Sequence, residues 1–278
     1  MEQRKRIKPP LTYYGGKQTL APFIETLIPE HRLYGEPFFG GGAVFFLKEP
    51  SVVEVINDSN KELMNFYEVV KTKFEPLHTL IDLSLASRDL HHKATIVYHN
   101  PDLFDEVRRA WAVWVLCAMG FSSRMDGPFG YDRASGSQAG RLSFKKEAFT
   151  EELMKRLERV QVECADALYV IQSRDFPEAF FYCDPPYIGS DMGHYKGYTE
   201  ADFKALLEML ASIKGKFLLS SYPSDLLKEF SQQYGWFSMK KEILVSVNAK
   251  SGNQKKKVEV LTANYPLSEG NGFMQYKL

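Results

Sequence analysis

Cysteine is scarce in this chain. Cys117, Cys164 and Cys183 are its three cysteines in 278 residues, and no C-x-x-C pair occurs. That count argues against a disulfide framework and against a thiolate zinc site, and a reducing cytoplasm is the expected compartment. Long apolar runs are also missing. The longest, Ala110 to Phe121, is twelve residues, too short to span a bilayer, and reads as a buried helix. The charged start Met1-Glu2-Gln3-Arg4-Lys5-Arg6 is not followed by an apolar stretch, so no signal peptide is expected. Net charge is absent as well, with 35 basic against 35 acidic residues. A nucleic-acid partner usually leaves a basic imprint, and the total lacks one. Locally the balance differs. Arg4, Lys5, Arg6, Lys8 and Lys17 face Glu2 alone in the first 17 residues, and residues 240–257 hold six lysines against Glu242. On charge alone, both runs read as solvated faces. Finally, no G-x-G-x-x-G dinucleotide fingerprint is present at the chain's glycine loop, because Phe45 stands where the third glycine would be.

What is present is an ordinary globular composition, 44% hydrophobic and 25% charged. Hydrophobic periodicity predicts a helix over 17–28, a strand over 33–38 and a helix opening at 43–47. A β-branched strand over 52–56 and a helix over 61–71 follow. From about 74 to 158 the alternation stops. Helical patterns at 102–120 and 145–159 there surround a Gly/Ser/Asp-rich loop, 120–140. Strands then return at 160–164, 179–183 and 216–222, with helices at 200–213 and 224–233 between and after them. A strand pair at 237–247 and 258–265 closes the chain. The predicted fold class is α/β: a Rossmann-like, mostly parallel sheet with an antiparallel edge, carrying an inserted, mainly helical domain. The predicted division is 1–73 with 159–278 as one domain, interrupted by 74–158.

Three clusters carry chemistry. Glu36-Pro37-Phe38-Phe39-Gly40-Gly41-Gly42 joins a strand to a helix, where glycines let backbone approach a ligand closely. The same loop also reads as an ordinary strand–helix turn. Asp58 follows the next strand. Its carboxylate can accept both hydroxyls of a ribose, and it can equally cap a helix. The third cluster is Phe180-Phe181-Tyr182-Cys183-Asp184-Pro185-Pro186-Tyr187. By average residue usage, D-P-P-Y arises by chance in roughly one chain in a thousand of this size. The chemistry accounts for the residue types. The lone pair of an exocyclic amine is delocalised into its ring, and hydrogen bonds from the amine to a carboxylate and a peptide carbonyl free it for attack. Prolines stiffen the loop and contribute no competing N–H. An aromatic ring stacks on a base extruded from the duplex, typically worth ~1–3 kcal/mol.

These motifs, in this order, resemble the N6-adenine DNA methyltransferases of the Dam type from about Tyr13 to Tyr265. Tyr14-Gly15-Gly16-Lys17 matches the family's W-A-G-G-K opening, with Tyr13 where the Trp usually stands. Glu36 to Phe45 matches E-P-F-x-G-x-G-x-V-F, Asp58 matches the acid of D-x-N, and Asp184 to Tyr187 is the catalytic motif unchanged. Lys216 to Tyr222 and Glu259 to Tyr265 resemble the later strands. The resemblance implies S-adenosylmethionine as methyl donor, S-adenosylhomocysteine as product, no metal, and double-stranded DNA as substrate. It implies that Tyr13, Lys17, Pro37, Phe38, Gly40, Gly42, Asp58 and Asp184 line the cofactor pocket. Asp184 and the Pro185 carbonyl would hold the target amine, Pro186 would stiffen the loop, and Tyr187 would stack on the base. It leaves room for a cognate restriction endonuclease and gives no place to a membrane.

The recognition segment departs from the family. Where the Dam type carries R-x-N-x-x-G-x-F-N, this chain reads Gly120-Phe121-Ser122-Ser123-Arg124-Met125-Asp126-Gly127-Pro128-Phe129-Gly130, and only Arg124 and Phe129 correspond. The target sequence common in that family is therefore not carried over. The 74–158 insertion is the expected target-recognition region, with Arg124, Arg133 and Arg141 as its DNA contacts. Two other readings stay open. One is methyl transfer to another planar amine, such as cytosine N4, an RNA base or a glutamine amide, although relatives of that kind often carry S-P-P-Y or N-P-P-Y. The other is a non-catalytic nucleotide-binding protein of the same fold.

Overall fold

The structure is a computed structural model that describes residues 7–13, 15–131, 137–187, 197–244, 256–267 and 274–276. Along the chain run α1 (Ala21–Leu27), β1 (Leu33–Glu36), α2 (Ala43–Leu47), β2 (Val53–Asn57), α3 (Lys61–Thr72), α4 (Phe74–Asp82) and α5 (Arg88–His99). Next come α6 (Glu106–Met119), α7 (Ser137–Glu147), α8 (Glu151–Leu157), β3 (Gln161–Glu163), α9 (Ala167–Arg174) and β4 (Ala179–Cys183). The last are α10 (Glu200–Ser212), β5 (Lys216–Ser221), α11 (Asp225–Tyr234), β6 (Phe237–Leu244), β7 (Lys256–Ala263) and β8 (Met274–Tyr276). By contacts, the chain forms two compact units, Met1–Glu25 with Phe39–Asp166, and Thr26–Phe38 with Ala167–Leu278.

In the first unit β2 and β3 pair in parallel. Around them the chain is helical, and α6 is the hub. Residues Ala110 to Cys117 of this helix are buried, apolar all round, as expected of a helix enclosed by others. It packs against α3, α4, α5 and α7. Polar side chains start the helices: Asn60 caps α3, Ser87 caps α5 and Asp105 caps α6.

In the second unit the strand order is β1-β4-β5-β7-β6-β8. The pairs β1–β4 and β4–β5 are parallel, while β7, β6 and β8 add antiparallel. The parallel strands and the antiparallel edge both match the fold class read from the sequence. The edge is three strands rather than two, because Met274–Tyr276 joins it.

Local chemistry explains where element bounds differ from periodicity. The first helix begins at Ala21 rather than Lys17, because Pro22 lacks an N–H and fits only the first turn. Strand β1 stops at Glu36, since Pro37 cannot donate to the ladder. The helix expected over 145–159 is two, α7 and α8, and α4, α5 and α9 were not anticipated. The 120–140 stretch is not all loop. Gly120 and Phe129 form an antiparallel bridge, Phe121 N–H donates to the Pro128 carbonyl (2.8 Å), and α7 already starts at Ser137. Its turn holds Ser122 and Ser123 at φ 56° and 57°, a region non-glycine residues rarely occupy. No helix among the described residues is long and apolar enough to cross a membrane.

Candidate active site

The first unit presents the glycine loop and the acid after β2. Phe39 N–H donates to the Asn57 carbonyl (2.8 Å), which joins the loop to the end of β2. Gly40 N–H donates to Asp58 Oδ2 and Asn60 N–H to Asp58 Oδ1, each at 3.0 Å. Tyr67 Oη donates to the Gly40 carbonyl at 2.9 Å. The loop is thus pinned at both the N–H and the carbonyl of Gly40. Gly42 takes φ 65°, and a Cβ there would lie 2.5 Å from the Phe39 ring, so a side chain is excluded at that position. Tyr13, nearly buried, packs its ring against Gly40 and Gly41. Lys17 is also largely buried, with Nζ donating to the Gly15 carbonyl at 3.3 Å.

Asp58 is not the helix cap that its position allowed. Asn60 takes that role, its Oδ1 accepting from Glu62 and Leu63 N–H. Asp58 is 4% exposed, and burial pushes its carboxyl above the usual range despite the two backbone donors. A carboxylate has about four acceptor sites, so two stay open here. A buried acid held this way costs stability.

The second unit presents the D-P-P-Y turn. Every residue of β4 is buried, and the strand delivers Asp184 and Pro185 to its C-terminal end. Tyr187 Oη lies 3.0 Å from Asp184 Oδ1 and 2.6 Å from Glu259 Oε1. Burial first, then the Asp184 and Glu259 charges, push the Tyr187 phenol well above its ordinary range, so it stays a hydroxyl at working pH. The ring of Tyr222 meets that of Tyr187 edge-on, centroids 4.5 Å apart. Pro186, Tyr187, Phe203, Ser221, Tyr222 and Asp225 are among the residues lining a pocket of about 320 Å³. The Ser221 hydroxyl is buried and has no hydrogen-bond partner among the described residues. Behind the turn, Tyr182 Oη and Ser220 Oγ are 3.0 Å apart. In β1, Tyr34 Oη donates to Glu36 (2.5 Å), while Pro37 is buried and Phe38 packs edge-on against Tyr198.

A family model described as D12 class N6 adenine-specific DNA methyltransferase matches residues 13–248. The chain belongs to that family. Its activity is methyl transfer to adenine in DNA, and S-adenosylmethionine as donor follows from the family. This D12 methyltransferase is 29% identical to the Type II methyltransferase M1.LlaDCHI of Lactococcus lactis subsp. cremoris, over 93% of this chain and 96% of the relative. It is also 29% identical to the Type II methyltransferase M.MjaIII of Methanocaldococcus jannaschii, over 93% and 99%. To the DNA adenine methylase of Salmonella typhi it is 26% identical, over 92% and 94%.

Of the three arginines expected at DNA, two are described in this methyltransferase. Arg124 lies in the 120–130 turn with Nε 3.4 Å from Asp126 Oδ1, and Arg141 sits on α7, bonded to Gln138 at 3.4 Å. Arg133 lies outside the described residues. Lys145 and Lys146, close in sequence to Arg141, serve the fold instead. Lys145 Nζ donates to the Cys117 and Ala118 carbonyls at the end of α6, and burial lowers its pKa to about 8. Lys146 donates to the Asp82 carbonyl. Sequence reasoning missed Glu259, Tyr222, Ser221 and Tyr67. Of these only Glu259 carried a signal, an acid set among Val258, Val260 and Leu261.

Proposed function

We propose that this methyltransferase takes an adenine flipped from double-stranded DNA into the pocket beside Pro186 and Tyr187. The observation that carries the reading is the D-P-P-Y turn itself. An acid, two prolines and a phenol stand at the end of a buried strand, and Pro186 and Tyr187 of that turn line a cavity whose size suits a small ligand. Asp184 Oδ and the Pro185 carbonyl accept the two amine hydrogens, which turns the nitrogen lone pair toward the donor. Tyr187 stacks on the base, and the Ser221 hydroxyl is available to one of its ring nitrogens. Catalysis is then positioning plus stabilisation of positive charge growing on nitrogen.

S-adenosylmethionine brings an electrophilic methyl on a sulfonium. The donor set fits it: Asp58 keeps two acceptor sites for ribose hydroxyls, and Gly40 and Gly42 leave room for close backbone approach. Tyr13 and Lys17 complete the cofactor contacts of the first unit in this reading. Asp58→Ala is expected to weaken S-adenosylmethionine binding about 10- to 100-fold, the worth of a charge-assisted hydrogen bond, with DNA affinity much less changed. Calorimetry with cofactor alone measures it. An unchanged affinity would leave Asp58 as a pin for Gly40 only.

The 74–158 insertion reads the target in this proposal, with Arg124 reaching a base edge from a strained turn. Arg124→Ala is expected to relax preference at one base position, a loss of ~1–3 kcal/mol in discrimination. Binding selections on randomised duplexes test this. A uniform loss on all sequences, with a shallower salt dependence, would move Arg124 to phosphate. The relatives named Type II methyltransferases favour a companion restriction endonuclease. The cytoplasm, which holds DNA and donor together, is the compartment this reading gives.

The direct test is transfer of labelled methyl from S-adenosylmethionine to duplex DNA, followed by digestion to nucleosides. Label in N6-methyldeoxyadenosine is expected. Label in N4-methylcytosine, or in RNA alone, would replace this reading.

A further inference from the structure

Tyr187 has one hydroxyl hydrogen and stands between two carboxylates. Its Oη is 2.6 Å from Glu259 Oε1 and 3.0 Å from Asp184 Oδ1. A phenol donates once, so these acids compete for it. We propose that Glu259 is a positioning residue for methyl transfer: it draws the Tyr187 hydrogen to itself and leaves Asp184 Oδ1 to accept the adenine amine. This rests on the reading that Asp184 holds that amine.

Glu259 lies in β7 among Val258, Val260 and Leu261, and it is 7% exposed. An acid in that setting costs stability unless it is bonded, and the fold supplies a bond from the catalytic turn. Strand direction brings it there. β7 runs antiparallel to β5 with Val260 opposite Ser221, so Glu259, one residue earlier, reaches the edge where β4 and β5 end.

The consequence is chemical. An acceptor already holding a phenol hydrogen pulls less on an amine, and the lone pair on nitrogen is less exposed. With the hydrogen on Glu259, Asp184 Oδ1 is not spent on the phenol and pulls harder on the amine. The ring of Tyr187 is also held at a fixed rotation, ready to stack. Glu259 acts through Tyr187 and touches neither base nor donor in this scheme.

The test is single-turnover methyl transfer by the full chain on duplex DNA with saturating S-adenosylmethionine. Glu259→Ala is expected to slow the transfer step about tenfold or more, with the DNA KM within about threefold of wild type. Glu259→Gln keeps an acceptor oxygen and is expected to recover most of the rate. The deciding variant is Glu259→Ala combined with Tyr187→Phe. The phenyl ring still stacks but has no hydrogen to give Asp184, so the double variant is expected to be faster than Glu259→Ala alone. If Glu259 only supports the fold, the double variant is no faster, and the proposal falls. It falls too if Glu259→Ala turns over at the wild-type rate. Glu259→Leu, with and without Tyr187→Phe, gives the same comparison if the alanine variant does not fold. Asp184→Ala separates the two ideas. Full activity there removes the reading of Asp184 itself, whereas an inactive Asp184→Ala beside a fully active Glu259→Ala removes the role of Glu259 alone.

Discussion

Asp184→Ala is expected to cut methyl transfer by about a thousand-fold or more while the protein still binds DNA. The size follows from what is lost. Deleting one preorganised hydrogen-bonding group at a site of developing charge typically costs about 10²–10³ in rate. In the proposed reading the group is also an anion beside a nitrogen that becomes positive, so its removal would take away charge stabilisation as well as geometry. Truncation has a second effect. Tyr187 loses a contact at 3.0 Å and the turn loses an internal tie. Asp184→Asn is expected to lose much less, because its amide oxygen can still accept from the amine. The gap between the two variants measures the worth of the charge. DNA affinity should survive in both, since phosphate contacts supply much of it. Single-turnover rates beside a salt titration of binding check this. A wild-type rate in Asp184→Ala would end the assignment.

The elements that position this chemistry were readable where local rules act alone. The bounds of β4 and α2 come directly from an apolar run and from the glycines before a helix. Pro22 and Pro37 then trimmed the elements that periodicity had overextended, and both effects are written in the sequence. Asp58 was ambiguous because cap and ligand both call for a short acid after a strand. Only geometry shows Asn60 in the capping role. Lys145 and Lys146 read in the sequence as free surface charge, and only the structure shows them turned back to carbonyls of the fold. Glu259 was invisible as a partner because it stands 72 residues from Tyr187, and an antiparallel strand closes that distance. Pairings of that kind depend on strand order, which periodicity does not carry.

Glu54→Ala is expected to destabilise the protein by ~3–5 kcal/mol, the cost of leaving buried charge without its counter-ion. Glu54 in β2 sits between Lys48, 2.6 Å away, and Arg156 of α8, whose guanidinium donates to both carboxylate oxygens. These three side chains are 5%, 4% and 2% exposed. Arg156 also donates to the Phe45 carbonyl (3.0 Å) and lies over the Phe45 ring at 3.6 Å. Burial alone would raise the Glu54 carboxyl. The Arg156 hydrogen bond and the Lys48 and Arg156 charges outweigh it and hold the group below its ordinary value. The sign of the pH dependence follows. The contribution is complete above the unfolded-state pKa of about 4.3 and is lost as pH falls through the lower folded value. Domain stability is typically about 5–15 kcal/mol, so one truncation here removes a large part of it. The cluster is not fully satisfied, because Arg156 Nε is buried without a partner among the described residues. Replacing all three residues together, Lys48→Met, Glu54→Leu and Arg156→Met, is therefore expected to cost far less than Glu54→Ala alone. Urea unfolding at pH 7 distinguishes them, and a triple variant as unstable as Glu54→Ala would show that the ion pairs themselves hold the fold. The outcome bears on function through connectivity. Glu54 shares β2 with Asn57, whose carbonyl anchors Phe39, and Phe45 lies in the helix that Gly42 opens. Loosening this cluster loosens both ends of the loop assigned to the methyl donor, so Glu54→Ala is also expected to weaken S-adenosylmethionine binding before it unfolds the chain.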